Sequence, residues 1–355
     1  MKWMGVCLSA ILVFAFSAVL VARAAKAAQT NINTENGIQE SGYVELNGIR
    51  QFVQIRGEHQ GNPVILMLHG GPGSPVTFLS SYFQRALEKD FTLVNFDQRG
   101  SGRTYYANEE VKLSTQEILS DIDSLVDYLL GRFGQEKVIV LGHSWGTVLG
   151  SIYVKEHPEK VTAYIGVGQC VSNMEGDTVA AEEAIRRAKE NGDERTAGKI
   201  SELLDQYSGS TDIAKKFILT MEIRQIGASY FHYEDESSIP ETLWLGLSSP
   251  DMSFVDMRWF LKMSGPFEKF LALEEPLLED CLTFNLEELG SRYAVPVYYI
   301  SGEHDWITPT DLVKEFYQTL EAPDKEMVVL PNAGHSPFLD DPEMFCAAVK
   351  DALQK

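Results

Sequence analysis

Val138-Ile139-Val140-Leu141-Gly142-His143-Ser144-Trp145-Gly146 is an apolar, β-branched run that breaks at a glycine-flanked serine and leads into a helix-forming stretch. That order predicts a buried strand, a tight turn and a helix, the setting in which a G-x-S-x-G serine projects its hydroxyl from the edge of a sheet. The glycines fit because such a turn is strained and leaves no room for a Cβ beside the serine. Ser144 is therefore the candidate nucleophile of an acyl transfer.

Outward from this point, other apolar runs also end in polar, glycine-bearing loops. Residues 64–68 run into His69-Gly70-Gly71-Pro72-Gly73, residues 91–96 into Asp97-Gln98-Arg99-Gly100-Ser101-Gly102, residues 295–300 into Ser301-Gly302-Glu303-His304-Asp305, and residues 327–330 into Pro331-Asn332-Ala333-Gly334-His335. In an open parallel sheet the active groups gather at the carboxyl ends of the strands. A serine hydroxyl needs an imidazole to take its proton, and the imidazole needs a carboxylate to fix its tautomer. The chain order Ser144, Asp305, His335 supplies the three, with Glu303 as the rival carboxylate. His69, His143 and His304 read as loop or supporting histidines. Backbone amides of Gly71 and Trp145 are the candidate donors to an oxyanion, although Gly-Gly-Pro-Gly also fits a plain tight turn.

The rest of the pattern sets the architecture. Residues 43–46 and 49–55 alternate in hydrophobicity around Asn47-Gly48, a hairpin signal. A helical pattern near residues 83–87, an amphipathic helix over 121–130 and a strand over 161–167 follow. From 171 to 291 the strand signal gives way to charged helical sequence, with helices expected over 180–191, 200–207 and 213–226. Strands resume at 295, and a helix over 342–353 closes the chain. The expected fold class is α/β: a mostly parallel central sheet flanked by helices, built from 41–170 and 292–355, with a helical cap inserted at 171–291.

Residues 1–27 read as a secretion signal, with Lys2, an apolar run over 6–21 and Ala25-Lys26-Ala27 as a cleavage site. The apolar run falls short of the roughly 20 residues of a spanning helix, and a retained anchor is the competing reading. A flexible leader is expected over 28–40. These features imply a secreted or cell-envelope protein, membrane-bound only if the segment is kept. Net charge is −21, with 51 acidic and 30 basic residues, which disfavours nucleic acid and anionic lipid as partners. Cys170, Cys281 and Cys346 are widely spaced and read as buried apolar residues; no metal site or cofactor is indicated.

The HGGPG stretch 69–73, the DQRGxG stretch 97–102 and Ser144-Trp145-Gly146 together resemble the prolyl iminopeptidase family of α/β-hydrolases. The resemblance covers 40–170 and 292–355 and only loosely the cap. It implies an α/β-hydrolase fold, a triad of Ser144, Asp305 and His335, oxyanion donors at Gly71 and Trp145, no cofactor, and release of an N-terminal residue, usually proline, from a small peptide. His143 stands where these enzymes commonly carry glycine. Such enzymes also place a cap glutamate shortly before a Tyr-Phe pair to hold the substrate ammonium. Here Tyr230-Phe231 follow Gly227-Ala228-Ser229, so Glu222 upstream and Glu234 or Glu236 downstream are the candidates, with Tyr230 and Phe231 as pocket residues. Other cap aromatics, among them Trp244, Phe254, Trp259, Phe260 and Phe267, are pocket or core candidates. An esterase, lactonase or amide hydrolase acting on a small acyl substrate is the alternative, and a non-catalytic binding protein on the same scaffold the third reading.

Overall fold

Residues 2–108, 110–233, 236, 238–265 and 267–354 are described in a computed structural model. Eight strands form one sheet: β1 (Ile38–Leu46), β2 (Ile49–Gly57), β3 (Val64–Leu68), β4 (Thr92–Phe96), β5 (Val138–His143), β6 (Val161–Val167), β7 (Val297–Gly302) and β8 (Lys325–Leu330). Their spatial order is β1-β2-β4-β3-β5-β6-β7-β8. β2 pairs antiparallel with β1 and β4, and every pairing from β4 to β8 is parallel. The opening hairpin turns at Asn47 and Gly48, both with positive φ, as an Asn-Gly turn requires.

The helices are α1 (Lys2–Thr30), α2 (Ser80–Phe83), α3 (Gly102–Ala107), α4 (Thr115–Phe133), α5 (Trp145–Glu156), the cap helices α6 (Asn173–Glu190), α7 (Glu194–Ser208), α8 (Ile213–Gly227), α9 (Ile239–Ser248), α10 (Phe254–Met263) and α11 (Phe267–Thr283), then α12 (Leu286–Leu289), α13 (Thr310–Thr319), α14 (Pro337–Asp340) and α15 (Pro342–Leu353). Local chemistry sets their ends. In α4 the Ser114 side chain accepts from the Glu117 amide and Gly134 closes the helix in the left-handed region.

Alternation along β3 shows how the sheet is buried on both faces. Val64, Leu66 and Leu68 join a cluster with Ile122 of α4, Leu149 of α5 and Phe316 of α13, whereas Ile65 and Met67 join Phe83 of α2 and Phe345 of α15. Each such side chain contributes roughly 1.5–3 kcal/mol by leaving water. This burial fixes the register that carries every polar loop to the same end of the sheet.

Two boundaries differ from the sequence reading. α1 continues to Thr30 and β1 starts at Ile38, so within the expected leader over 28–40, residues 31–37 alone lie outside helix and strand. The cap holds three helices, α9 to α11, beyond those read from periodicity. Among the described residues no helix is long and apolar enough to cross a membrane.

Candidate active site

Ser144 sits between β5 and α5 with φ 54° and ψ −121°, a backbone position that costs of order 1–3 kcal/mol for a residue with a side chain. Close packing holds it there. A Cβ at Gly142 would strike the Gly146 carbonyl, and one at Gly146 would strike the carbonyl of Leu68 at the end of β3. The Ser144 amide donates to the Val167 carbonyl (3.1 Å), which ties the elbow to β6.

Asp305 and His335 meet from the loops after β7 and β8. His335 Nδ1 lies 3.1 and 3.0 Å from the two Asp305 carboxylate oxygens. Asp305 also accepts from the amides of Ile307 and Thr308 (2.9 Å each) and from Thr308 Oγ1 (2.7 Å). Burial pushes this carboxyl up, but the His335 imidazole and these donors pull it net below its ordinary value. Glu303 is half exposed and lies 3.9 Å from His304 instead, so the structure brings Asp305, rather than its rival, to the imidazole. With Nδ1 facing Asp305, Nε2 is left for the cavity, where Ser144 and His335 are both wall residues.

The glycine-rich turn after β3 runs beside the serine. A Cβ on Gly70 would lie 3.0 Å from Ser144 Cβ, and Gly71 lines the cavity. Trp145 is the first residue of α5, where helix geometry leaves amides without intrahelical acceptors.

Three supporting contacts explain the motif residues. His69 Nδ1 donates to the Gly70 carbonyl (2.9 Å), while its Nε2 accepts from the Gln98 amide (3.1 Å) and Gln98 Nε2 donates to the His69 carbonyl (2.9 Å). The HGGPG and DQRGxG loops are thereby stitched together, and burial pulls the His69 imidazole down to about 4, so it stays neutral. Arg99 makes a two-pronged pair with Asp121 of α4 (2.9 and 2.7 Å), anchoring its loop to the helix beneath. His143 Nε2 donates to the His335 carbonyl (2.9 Å). Burial, helped by the neighbouring His335, pulls His143 down to about 3, so it holds the His335 loop as a neutral donor.

Two adjoining cavities open here. One, about 510 Å³, contains Ser144, the Gly70–Gly71 turn, and Trp259, Phe260 and Met263 of α10. The other, about 360 Å³, is lined by Phe231, Tyr233, Trp306 and His304. Arg224, Ile307, His335, Ser336 and Leu339 belong to both walls.

The cap residues chosen from sequence fare unevenly. Glu222 faces away from both cavities and pairs with Lys199 (3.3 Å) at 42% exposure, because the inner face of α8 is carried by Leu219, Thr220 and Ile223. Tyr230 donates to Asp193 (2.8 Å) and lines neither cavity. Phe231 does line the second chamber, stacked on Trp306 with centroids 5.1 Å apart. Glu236 lines it too, hydrogen-bonded to His232. Glu234 and the Phe267 side chain lie outside the described residues, while Trp244 and Phe254 point to solvent.

Sequence reading missed Glu274. Its side chain, on α11, is 1% exposed, and Oε1 has no hydrogen-bond partner among the described residues. A Cβ on Gly73 would lie 2.7 Å from that oxygen, so the carboxyl stands directly behind the glycine turn, where the Trp259 indole donates to the Gly73 carbonyl (3.0 Å). Burial pushes Glu274 up to about 8. Its register with the buried Leu277 and Leu278, three and four residues on, is the signal by which sequence alone would have turned it inward. Among the described residues no group of three or more His, Cys, Asp or Glu is placed to hold a metal, and Cys170, Cys281 and Cys346 are free thiols.

A family model described as alpha/beta hydrolase fold matches residues 63–342. The chain is 27% identical over 304 residues to a probable aminopeptidase, YbaC, of Bacillus subtilis, covering 85% of this chain and 92% of that protein. It is 26% identical over 322 residues to a proline iminopeptidase of Heyndrickxia coagulans, covering 88% and 98%. Among solved structures, a proline iminopeptidase of Mycobacterium smegmatis superposes with a TM-score of 0.61 at 22% identity, over 89% of this chain and 98% of that one. With a family match spanning most of its length and polar loops assembled at one end of an eight-stranded sheet, this chain belongs to the α/β hydrolase fold family.

Proposed function

We propose that the protein is a serine aminopeptidase that releases an N-terminal proline or small apolar residue from short peptides through an acyl-enzyme on Ser144. The observation that carries the reading is Glu274: a buried carboxyl whose Oε1 has no hydrogen-bond partner among the described residues, set behind the turn that borders the nucleophile. A substrate ammonium is the partner such a group lacks, and leaving either charge buried alone costs about 3–5 kcal/mol. Similarity to a probable aminopeptidase and to proline iminopeptidases along nearly the whole chain supports it.

In this mechanism Ser144 Oγ attacks the scissile carbonyl carbon and its proton passes to His335 Nε2, while Asp305 holds the imidazolium. The oxyanion takes hydrogen bonds from the amides of Gly71 and Trp145, worth about 3–4 kcal/mol for one well-placed donor. His335 then protonates the leaving amine as the C–N bond breaks. A water, deprotonated by the same imidazole, hydrolyses the ester. The N-terminal residue occupies the cavity walled by Trp259, Phe260 and Met263. The leaving peptide goes to the second chamber, on the side of the imidazole that must protonate it.

The test has two parts. A fluorophosphonate probe should label Ser144, located by peptide mass. Prolyl arylamide should be cleaved and its N-acetylated form left intact; equal cleavage of the two would favour an esterase or amide hydrolase.

A further inference from the structure

We propose that the outer faces of α1, α9 and α10 form one membrane-seated surface, which places the mouth of the Ser144 cavity at a lipid boundary. α1 is fastened to the folded domain by specific contacts. Arg23 donates to the Pro250 carbonyl (3.4 Å) and to that of Met252, Lys26 donates to Ser248 Oγ (2.6 Å), and Arg56 donates to the Thr30 carbonyl (2.6 Å). The contacts of Arg23 and Lys26 lie at the corner where α9 leads into α10, and that of Arg56 on β2.

Around that corner several large exposed side chains are apolar. On α10, Asp256 and Trp259 turn inward, whereas Phe254, Met257 and Leu261 follow a helical stripe outward, Phe254 at 79% exposure. On α9 the outward residues include Leu243 and Trp244, and on α1 they include Phe16 and Val21. Contiguous apolar surface rimmed by polar groups marks an interaction site. Phe260 and Met263, on the same α10, line the Ser144 cavity, so this surface is continuous with the cavity wall.

Charge selects the occupant. The chain carries a net −21, yet residues 1–30 hold Lys2, Arg23 and Lys26 and no acid. The exposed charges of α10 are Arg258 and Lys262, against one exposed acid on α9, Glu241. An apolar face edged by cations on an otherwise acidic protein matches acyl chains beneath phosphate headgroups, with long basic side chains reaching up to the phosphates. The geometry is that of a protein lying on the bilayer.

Full-length protein, floated with mixed phosphatidylcholine and phosphatidylglycerol vesicles, tests this independently of any hydrolytic activity. The vesicles should carry the protein, and brominated acyl chains should quench a fluorescence component that is missing in Trp244→Phe. Phe254→Ser with Leu261→Ser should lower the vesicle-bound fraction at least about tenfold with an unchanged thermal melt. A protein that stays in the buffer, a Trp244 signal indifferent to the brominated chains, or a double variant that floats like the parent would each overturn the proposal.

Discussion

The elbow and the wall behind the glycine turn stand side by side and are built on opposite principles. Around the elbow the buried ionisable side chains are matched: Asp305 takes four donors, Arg99 is paired with Asp121, and His69 and His143 each hold a neighbouring loop. Behind the glycine turn, Glu274 is buried with an oxygen that has no hydrogen-bond partner among the described residues. Matched groups are rigid and hold geometry. A carboxyl with an unpaired oxygen destabilises the free protein and gains a partner only when one arrives; on the proposed reading, the elbow breaks the bond and this group chooses the substrate.

The sharpest way to break this comparison is at the elbow. Ser144→Ala should lower kcat by about 10⁶-fold with the far-ultraviolet spectrum and melting temperature retained. Turnover above about one part in a thousand would assign the nucleophile elsewhere.

On the wall side the effect should be selective. With Glu274 held up to about 8 by burial, the free protein carries a neutral carboxyl below that pH. Binding an ammonium then requires the proton to leave, so kcat/KM for an unblocked substrate should rise with pH toward about 8. That limb should vanish in Glu274→Gln and be missing in wild type on an aryl ester without an amine.

A smaller effect is expected at the junction of the two regions. His143→Ala removes a buried hydrogen bond to the His335 loop, worth about 0.5–1.5 kcal/mol net. Steady-state kinetics should show kcat lowered roughly three- to tenfold with KM little changed.

The smallest effect has the opposite sign. Because Glu274 titrates higher in the folded protein than in the unfolded chain, the native state holds the extra proton and stability falls as pH rises from the ordinary carboxylate range through about 8. Glu274→Gln should therefore melt a few degrees higher than wild type at pH 9, read by calorimetry.

The same contrast governs how much was legible in the sequence. The Asn47-Gly48 hairpin, the five buried residues of β3 and the Ser144 elbow are specified by neighbours along the chain, so local pattern located them. Strand ends located the loops of Asp305 and His335, since parallel order carries both to one edge, but left Glu303 as a rival, which the fold keeps away from the imidazole. Cap residues had no such guide. Glu222 lies near the Tyr-Phe pair in sequence and Tyr230 belongs to it, yet the rotation of α8 about its axis turns Glu222 to solvent, and Tyr230, in the turn after α8, donates to Asp193. Glu274 is far from that pair in sequence and comes against the turn at Gly73 only because α11 packs behind it. The docking of α1 on the α9–α10 corner depends on contacts more than 220 residues apart and has no local signature.

The central claim is that a carboxyl on the cap decides which substrates the elbow may process. The most direct measurement is the ratio of kcat/KM for prolyl arylamide to that for an amine-free ester, in wild type and in Glu274→Gln. The account predicts a ratio that collapses by about a hundredfold or more in the variant, with ester hydrolysis preserved. A ratio unchanged by the substitution would contradict it.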